Sequence, residues 1–110
     1  MKIEKNDKYT VLKPKSTTNF QKFYRDFNTK IDTLKKEHLI LDLSELSLKL
    51  EELIQFKDIS EKKVGSGTSF VVINTSVEID EIPDEIIVVP TFQEAIDMIE
   101  MDEMTRSLDF

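Results

Sequence analysis

Among the residue types that can carry chemistry, this 110-residue chain has one histidine and one glycine-containing turn. His38 could transfer a proton, but catalysis needs a nucleophile or a carboxylate held beside it, and no motif around His38 supplies one. Gly65-Ser66-Gly67 resembles a phosphate-binding loop only in composition, because it precedes a predicted strand, whereas phosphate-binding loops follow one. We therefore interpret His38 as structural and the two glycines as parts of a turn.

A serine and an aspartate lie close together in Asp42-Leu43-Ser44, the arrangement that carries the phosphopantetheine arm of acyl carriers. Those carriers are helical bundles, whereas this chain contains apolar segments typical of buried strands. Asp42 is better explained as a polar residue at the carboxyl end of a strand. We expect no prosthetic arm at Ser44.

Two pairs of carboxylates, Glu51-Glu52 and Asp102-Glu103, could bind a hard cation or share a proton. Adjacent residues on a helix point about 100° apart, so neither pair converges on one site by itself. Solvated helix faces explain both pairs. The sequence thus predicts no catalytic residue, no metal site and no cofactor.

The composition excludes further chemistries. The chain has no cysteine, which removes disulfide scaffolds, cysteine-ligated zinc, iron–sulfur clusters and thiol nucleophiles. Apolar residues make up 39% and charged residues 34%, an ordinary mixture for one globular domain of this length. We expect a single domain over residues 1–110, with a core over about 8–101 and an acidic helix and tail over 91–110.

The net charge of −7 is concentrated at one end of the chain. Residues 1–77 hold 14 basic and 11 acidic side chains, whereas residues 78–110 hold one basic side chain, Arg106, and 11 acidic ones. An acidic segment repels nucleic-acid phosphate and anionic lipid, so neither nucleic acid nor a membrane is an expected partner. The acids either keep the domain soluble or face a basic protein partner. The amino-terminal residues lack the apolar segment of a secretory signal, and a cytoplasmic location is expected.

Apolar patterning predicts the elements that position these groups. Segments 39–43, 70–73 and 86–89 are apolar almost throughout, as central parallel strands are. Ile3 and residues 9–12 predict two earlier strands joined by a turn at Asn6-Asp7. Residues 74–85 have no period and contain Pro83, so we interpret them as a connection.

Three helices are predicted between and after these strands. The first begins near Thr18, where residues 18–21 fit a capping box, and carries an apolar stripe at intervals of three and four. The second runs from Ser47 to about Lys62, and the third from Thr91 to about Ser107. The order β-β-α-β-α-β-β-α predicts an α/β domain with a mainly parallel sheet covered by helices. The apolar stripe of the first helix is Phe20, Phe23, Phe27, Ile31 and Leu34.

With these elements in place, the chain resembles the STAS domains, the family of the bacterial anti-sigma-factor antagonists. The resemblance covers about residues 8–101 and is carried by the strand and turn at 38–44, the helix that follows, and the ending at 88–96. The turn at 65–67 before the strand at 70–73 also fits. The resemblance implies the fold and a surface for a regulatory protein partner.

One motif of that family is missing. Its regulated members carry Asp-Ser-Ser-Gly at the start of the helix after this strand, and the second serine is phosphorylated by the partner kinase. The corresponding positions here are Leu50, Glu51, Glu52 and Leu53, without a hydroxyl or a glycine. The resemblance therefore does not extend to a phosphorylation switch.

The leading hypothesis is a non-catalytic STAS-like module that binds a protein partner by occupying a surface. The first candidate surface is the start of the second helix, because this helix carries apolar groups on two sides. Such a pattern implies either that both sides are buried or that one side is an exposed apolar patch. The residues of this surface are Ser47, Leu48, Glu51, Glu52 and Gln55.

The second candidate surface lies on the last helix. Phe92, Ala95, Ile96 and Ile99 share one face and are expected to pack on the sheet. A second apolar stripe lies on another face of this helix, and three interpretations of it are open. It forms a docking or dimer surface, it folds back onto the first helix, or it belongs to a tail that frays. Its residues are Met98, Met101, Met104 and Leu108.

Two other functions remain open at this level. A pocket at the carboxyl ends of the strands, near Ser44, Asn74 and Pro90, could bind a nucleotide or a lipid. The chain could also be a purely structural homodimer. Neither hypothesis points to an activated nucleophile.

Overall fold

Five strands and four α-helices follow one another in the computed structural model, which describes residues 1–16 and 18–108. The Cα radius of gyration, 13.2 Å, is that of one domain of about 100 residues. Short 3₁₀ turns cover Ile31–Leu34 and Ile79–Glu81. The strands are β1 (Lys2–Lys5), β2 (Thr10–Lys13), β3 (Leu39–Asp42), β4 (Phe70–Ile73) and β5 (Ile87–Val89), and the helices are α1 (Phe20–Lys30), α2 (Leu50–Ile54), α3 (Lys57–Gly65) and α4 (Phe92–Ser107).

The strands form one sheet in the order β1-β2-β3-β4-β5. Only β1 and β2 are antiparallel, and the other three pairings are parallel, with Ile40 opposite both Val11 and Val71. The predicted mainly parallel α/β domain is confirmed. Along the chain, β3, β4 and β5 are each added to the same edge of the growing sheet. Crossover connections between parallel strands share one handedness, so α1, α2 and α3 lie on one face of the sheet, and α4 covers the other face.

Alternating strand residues supply the two cores. On the three-helix face, Leu12, Leu41 and Val72 meet the helices, and Phe56 and Phe70 lie in the middle of a cluster of aromatic rings. Ring centroids in this cluster are 5.4 to 6.5 Å apart, within the range of favourable aromatic pairs.

The core on the α4 face is smaller. Val11, Ile40 and Val71 pack there against Ala95 and Ile99, as predicted for the last helix. The prediction for Phe92 was wrong. Its side chain is 40% exposed, and its ring packs edge-to-face against Tyr9 beside β2 instead of in the buried core.

The predicted helix starts are partly wrong. α1 is capped by Asn19, whose side-chain oxygen accepts from the Lys22 N–H at 2.9 Å, and not by Thr18. Asparagine is as good a cap as serine, and the helix then begins directly at Phe20, the first residue of the buried stripe. The predicted cap of α4 is confirmed, since Thr91 accepts from the Glu94 N–H.

The second predicted helix is two helices. The prediction placed the helix start directly after Ser47. In the structure Leu48 is buried in the core, the backbone is still extended at Lys49, and α2 begins at Leu50. The helix ends at Ile54, where the Tyr24 hydroxyl donates to the Gln55 carbonyl oxygen at 3.0 Å. This break explains the two-sided apolar pattern, because α2 and α3 direct their buried residues independently.

Candidate functional site

The amino edge of the sheet carries a polar network around His38. The Ser69 N–H donates to His38 Nδ1 at 2.9 Å, and His38 Nε2 lies 3.3 Å from Glu103 Oε1 on α4. Accepting at Nδ1 requires that nitrogen to be unprotonated, so the hydrogen of the neutral imidazole is on Nε2 and faces Glu103.

The Ser69 side chain extends this network along α4. Its hydroxyl donates to Asp102 Oδ2 at 2.9 Å and accepts from Arg106 Nη1 at 3.4 Å. His38 therefore meets the backbone of Ser69 and not its hydroxyl, so the two do not form the nucleophile and base of covalent catalysis. The network fastens the second half of α4 to the sheet.

The sequence reasoning missed this network because it assigned Asp102 and Glu103 to a solvated face. The signal was their position three and four residues after Ile99, which places both on the buried side of the helix. The distance in sequence from His38 to Glu103 hid the pairing.

The carboxyl edge uses its polar side chains to hold loops together. Asp42 Oδ1 accepts from the hydroxyl of Ser44 at 2.6 Å. The Asn74 amide nitrogen donates to the carbonyl oxygens of Leu43 and Leu46, and its oxygen accepts from the Ser76 N–H. These groups are satisfied by the chain itself.

The geometry does not favour a ligand at this carboxyl edge. The cavity beside Asn74 and Pro90 has a volume of only about 200 Å³. In addition, the strand order never reverses, so the sheet lacks the crevice between opposed helices in which open α/β sheets bind ligands.

The first candidate surface keeps only part of its residues at the surface. Ser47, Glu51 and Gln55 are exposed, but Leu48 is 5% exposed and belongs to the core, so it cannot contact a partner. Glu52 is half-buried, and its carboxylate accepts from the Lys49 N–H at 2.9 Å. The expectation that Glu52 is a free surface carboxylate was wrong, because it completes the start of α2.

The second candidate surface divides at Met98. This side chain is half-buried and packs on the core under α4. Met101, Met104 and Leu108 point away from the sheet and are 61%, 65% and 75% exposed. We call these three residues the outer stripe of α4. It neither folds back on α1 nor frays before Ser107; residues 109–110 of the predicted tail lie outside the described part.

In the part of the chain that the structure describes, two pKa values depart from their ordinary range. Burial lowers the pKa of Lys63 to about 8, although the nearby charge of Glu37 acts in the opposite direction. The hydrogen bond from Lys5 lowers the pKa of the Glu37 carboxyl, with the two side chains 2.8 Å apart. Glu37 is thus fixed as an anion beside the amino edge.

Across residues 1–16 and 18–108, no three side chains of the histidine, aspartate and glutamate types form a group that could hold a metal ion. No helix in the same part of the chain is long and apolar enough to cross a membrane. No protein-family model matches this chain. The comparison with curated proteins found no relative either.

Proposed function

We propose that this protein is a non-catalytic, STAS-like regulatory module of the bacterial cytosol, which binds a basic protein partner through the outer stripe of α4. The element order and the sequence segments at 38–44 and 88–96 support the STAS-like assignment. The four positions of the missing phosphorylation motif lie in α2, where Leu53 is fully buried. Binding therefore works without a phosphorylation switch.

The observation that carries the proposal is the exposure of the outer stripe. Met101, Met104 and Leu108 follow one another at intervals of three and four on a single helix face. Exposed apolar residues that cluster, unlike isolated ones, mark interaction surfaces. Methionine adds a flexible and polarisable side chain that adapts to the shape of a partner.

The charge around the stripe indicates the chemistry of the partner. Asp97 and Glu100 stand one helical turn before Met101 and Met104, on the same side of α4, and both are exposed. A basic, apolar helix fits this surface. A second copy of the chain fits less well, because a symmetric pair of α4 helices would bring the same carboxylates against each other.

The first candidate surface is a secondary contact in this proposal. Ser47, Glu51 and Gln55 remain exposed near the carboxyl edge, whereas Leu48 and Glu52 are occupied within the fold. Three polar side chains without an apolar centre provide the rim of an interface and not its core.

The test compares three forms of the protein as bait in cytosolic extract of the source organism. The double variant Met101→Lys plus Leu108→Lys removes the apolar centre, and the control Met101→Leu plus Leu108→Met keeps it. We expect a basic protein that the wild type and the control retain and the lysine variant loses. Light scattering of the three purified proteins runs in parallel.

Three outcomes would contradict the proposal. If all three forms retain the same proteins, the outer stripe is not the docking surface. If light scattering shows that the purified wild type and the control form dimers and the lysine variant does not, the stripe is a homodimer interface. A large loss of thermal stability in the lysine variant would place these residues in the core and also exclude the surface.

A further inference from the structure

A cavity lies at the amino edge of the sheet, on the three-helix face. Its volume is about 700 Å³, within the range of small-ligand sites. Its walls come from the segment that leads into β3 and from α3 with the turn that leads into β4. None of the surfaces described above includes it.

The cavity has an apolar floor. Ile31 and Ile59 both line it and are half-buried against the aromatic core. The nearby hydroxyls of Ser66 and Thr68 donate to the Lys63 carbonyl oxygen at 2.9 and 3.0 Å, so they are engaged within the turn. The floor therefore favours an apolar body.

The rim of the cavity is cationic, in contrast to the acidic segment at residues 78–110. Lys35, Lys36 and Lys62 line it and are exposed. The single acidic side chain on the lining is Asp32, 3.9 Å from Lys35. A local excess of positive charge in a chain of net charge −7 selects for an anionic group.

Lys63 adds a fourth cation at the wall. It is 5% exposed, and its ammonium donates to the Leu34 carbonyl oxygen at 3.0 Å, with the Lys35 carbonyl oxygen at 3.5 Å. An ammonium has three donors, so these carbonyls leave one available. An anion in the cavity would favour the charged form of Lys63, which burial disfavours.

We propose that this cavity binds a small amphiphile with an apolar chain and an anionic head group, of the class of medium-chain carboxylates. The apolar chain contacts Ile31 and Ile59, and Lys35, Lys36 and Lys62 hold the head group. A compact phosphate fits less well, since α3 ends here and presents carbonyl oxygens, not N–H groups. The site is independent of the outer stripe of α4.

The first experiment titrates the purified protein with ten-carbon probes below micelle formation, by calorimetry. Decanoate is expected to bind saturably and decyltrimethylammonium not to bind. Vesicles of phosphatidylglycerol and phosphatidylcholine test whether the anion is supplied by a membrane surface instead. Absence of decanoate binding, equal binding of both probes, or binding to vesicles alone would overturn the proposal.

The second experiment removes charge from the rim. The variant Lys35→Gln, Lys36→Gln, Lys62→Gln is compared with Lys8→Gln, Lys15→Gln, Lys22→Gln, which removes the same charge from exposed lysines outside the cavity. We expect the Kd for decanoate to rise about tenfold in the first variant, which corresponds to about 1.4 kcal/mol, and to stay within about twofold in the second. Equal weakening in both would show that net charge alone attracts decanoate and would reject the site. All these lysines are exposed, so the fold is retained in both variants.

Discussion

The face of the sheet under α1, α2 and α3 is packed by aromatic rings, whereas the face under α4 is packed by aliphatic side chains of one helix. On the first face, Phe23, Phe27 and Phe56 are fully buried. On the second, α4 contributes only Ala95 and Ile99 to the buried core. We therefore expect the two faces to contribute unequally to stability, and the helix on the weaker face carries the outer stripe.

Connectivity explains this difference. In the chain, α1 lies between β2 and β3, and α2 with α3 lies between β3 and β4, whereas α4 follows β5 and no described strand comes after it. Its second half depends on the polar contacts of Ser69 with Asp102 and Arg106. Because α4 is buried on one side and held by this polar network, its other side is free to contact a partner.

The largest expected effect tests the unequal packing. Phe56→Ala should reduce the free energy of unfolding by about 3–5 kcal/mol, because it opens a cavity among the rings. Ile99→Ala should cost about 2 kcal/mol, since α4 can shift towards the space. Urea denaturation followed by circular dichroism measures both values.

A milder variant keeps this comparison measurable if Phe56→Ala does not fold. Phe56→Leu retains an apolar side chain and should cost under about 2 kcal/mol. Equal losses for Phe56→Ala and Ile99→Ala would contradict the conclusion that the three-helix face dominates stability.

The next effect concerns the polar contacts of Ser69 with Asp102 and Arg106, which hold the second half of α4 to the sheet. Ser69→Ala removes the donor to Asp102 and the acceptor of Arg106, and should cost about 1–2 kcal/mol. Amide hydrogen exchange should accelerate in the second half of α4 and not in α1.

Ser107→Ala is the matched control for this change. Among residues 1–16 and 18–108, the Ser107 hydroxyl donates to the Met104 carbonyl oxygen in its own helix alone, and the side chain is exposed. We expect a change within about 0.5 kcal/mol. Unchanged exchange in Ser69→Ala would show that the apolar contacts of α4 suffice to hold it.

The smallest effect tests whether the three-helix face offers a free acidic surface of its own. Glu52→Ser should cost about 1 kcal/mol, because its carboxylate accepts from the Lys49 N–H at the start of α2. Glu51→Ser should stay within about 0.5 kcal/mol, since Glu51 is exposed. Thermal unfolding of both single variants decides the point, and equal shifts would place both glutamates on the same free surface.

Local patterns in the sequence predicted most of the elements. The three apolar strands, the turn at Asn6 and the cap at Thr91 depend on neighbours within a few residues. The outer stripe of α4 also followed from helical spacing, although the sequence left open whether it was exposed. These features are short-range, so the chain specifies them wherever it folds.

The lysine-lined cavity could have been found from the same information. Lys35-Lys36 and Lys62-Lys63 each stand a few residues before a buried strand. The amino ends of neighbouring parallel strands meet at one edge of a sheet, so the two pairs had to converge.

Contacts between distant residues decided what the sequence did not. The hydroxyl of Tyr24 ends α2 at Gln55, and His38 meets Glu103 although 64 residues separate them in the chain. The sequence by itself determined the positions of the strands along the chain and the buried stripe of α1, since these follow from local periodicity. Only the tertiary structure decided the break between α2 and α3, the burial of Leu48 and the tether of α4, because each depends on the position at which one element packs against another.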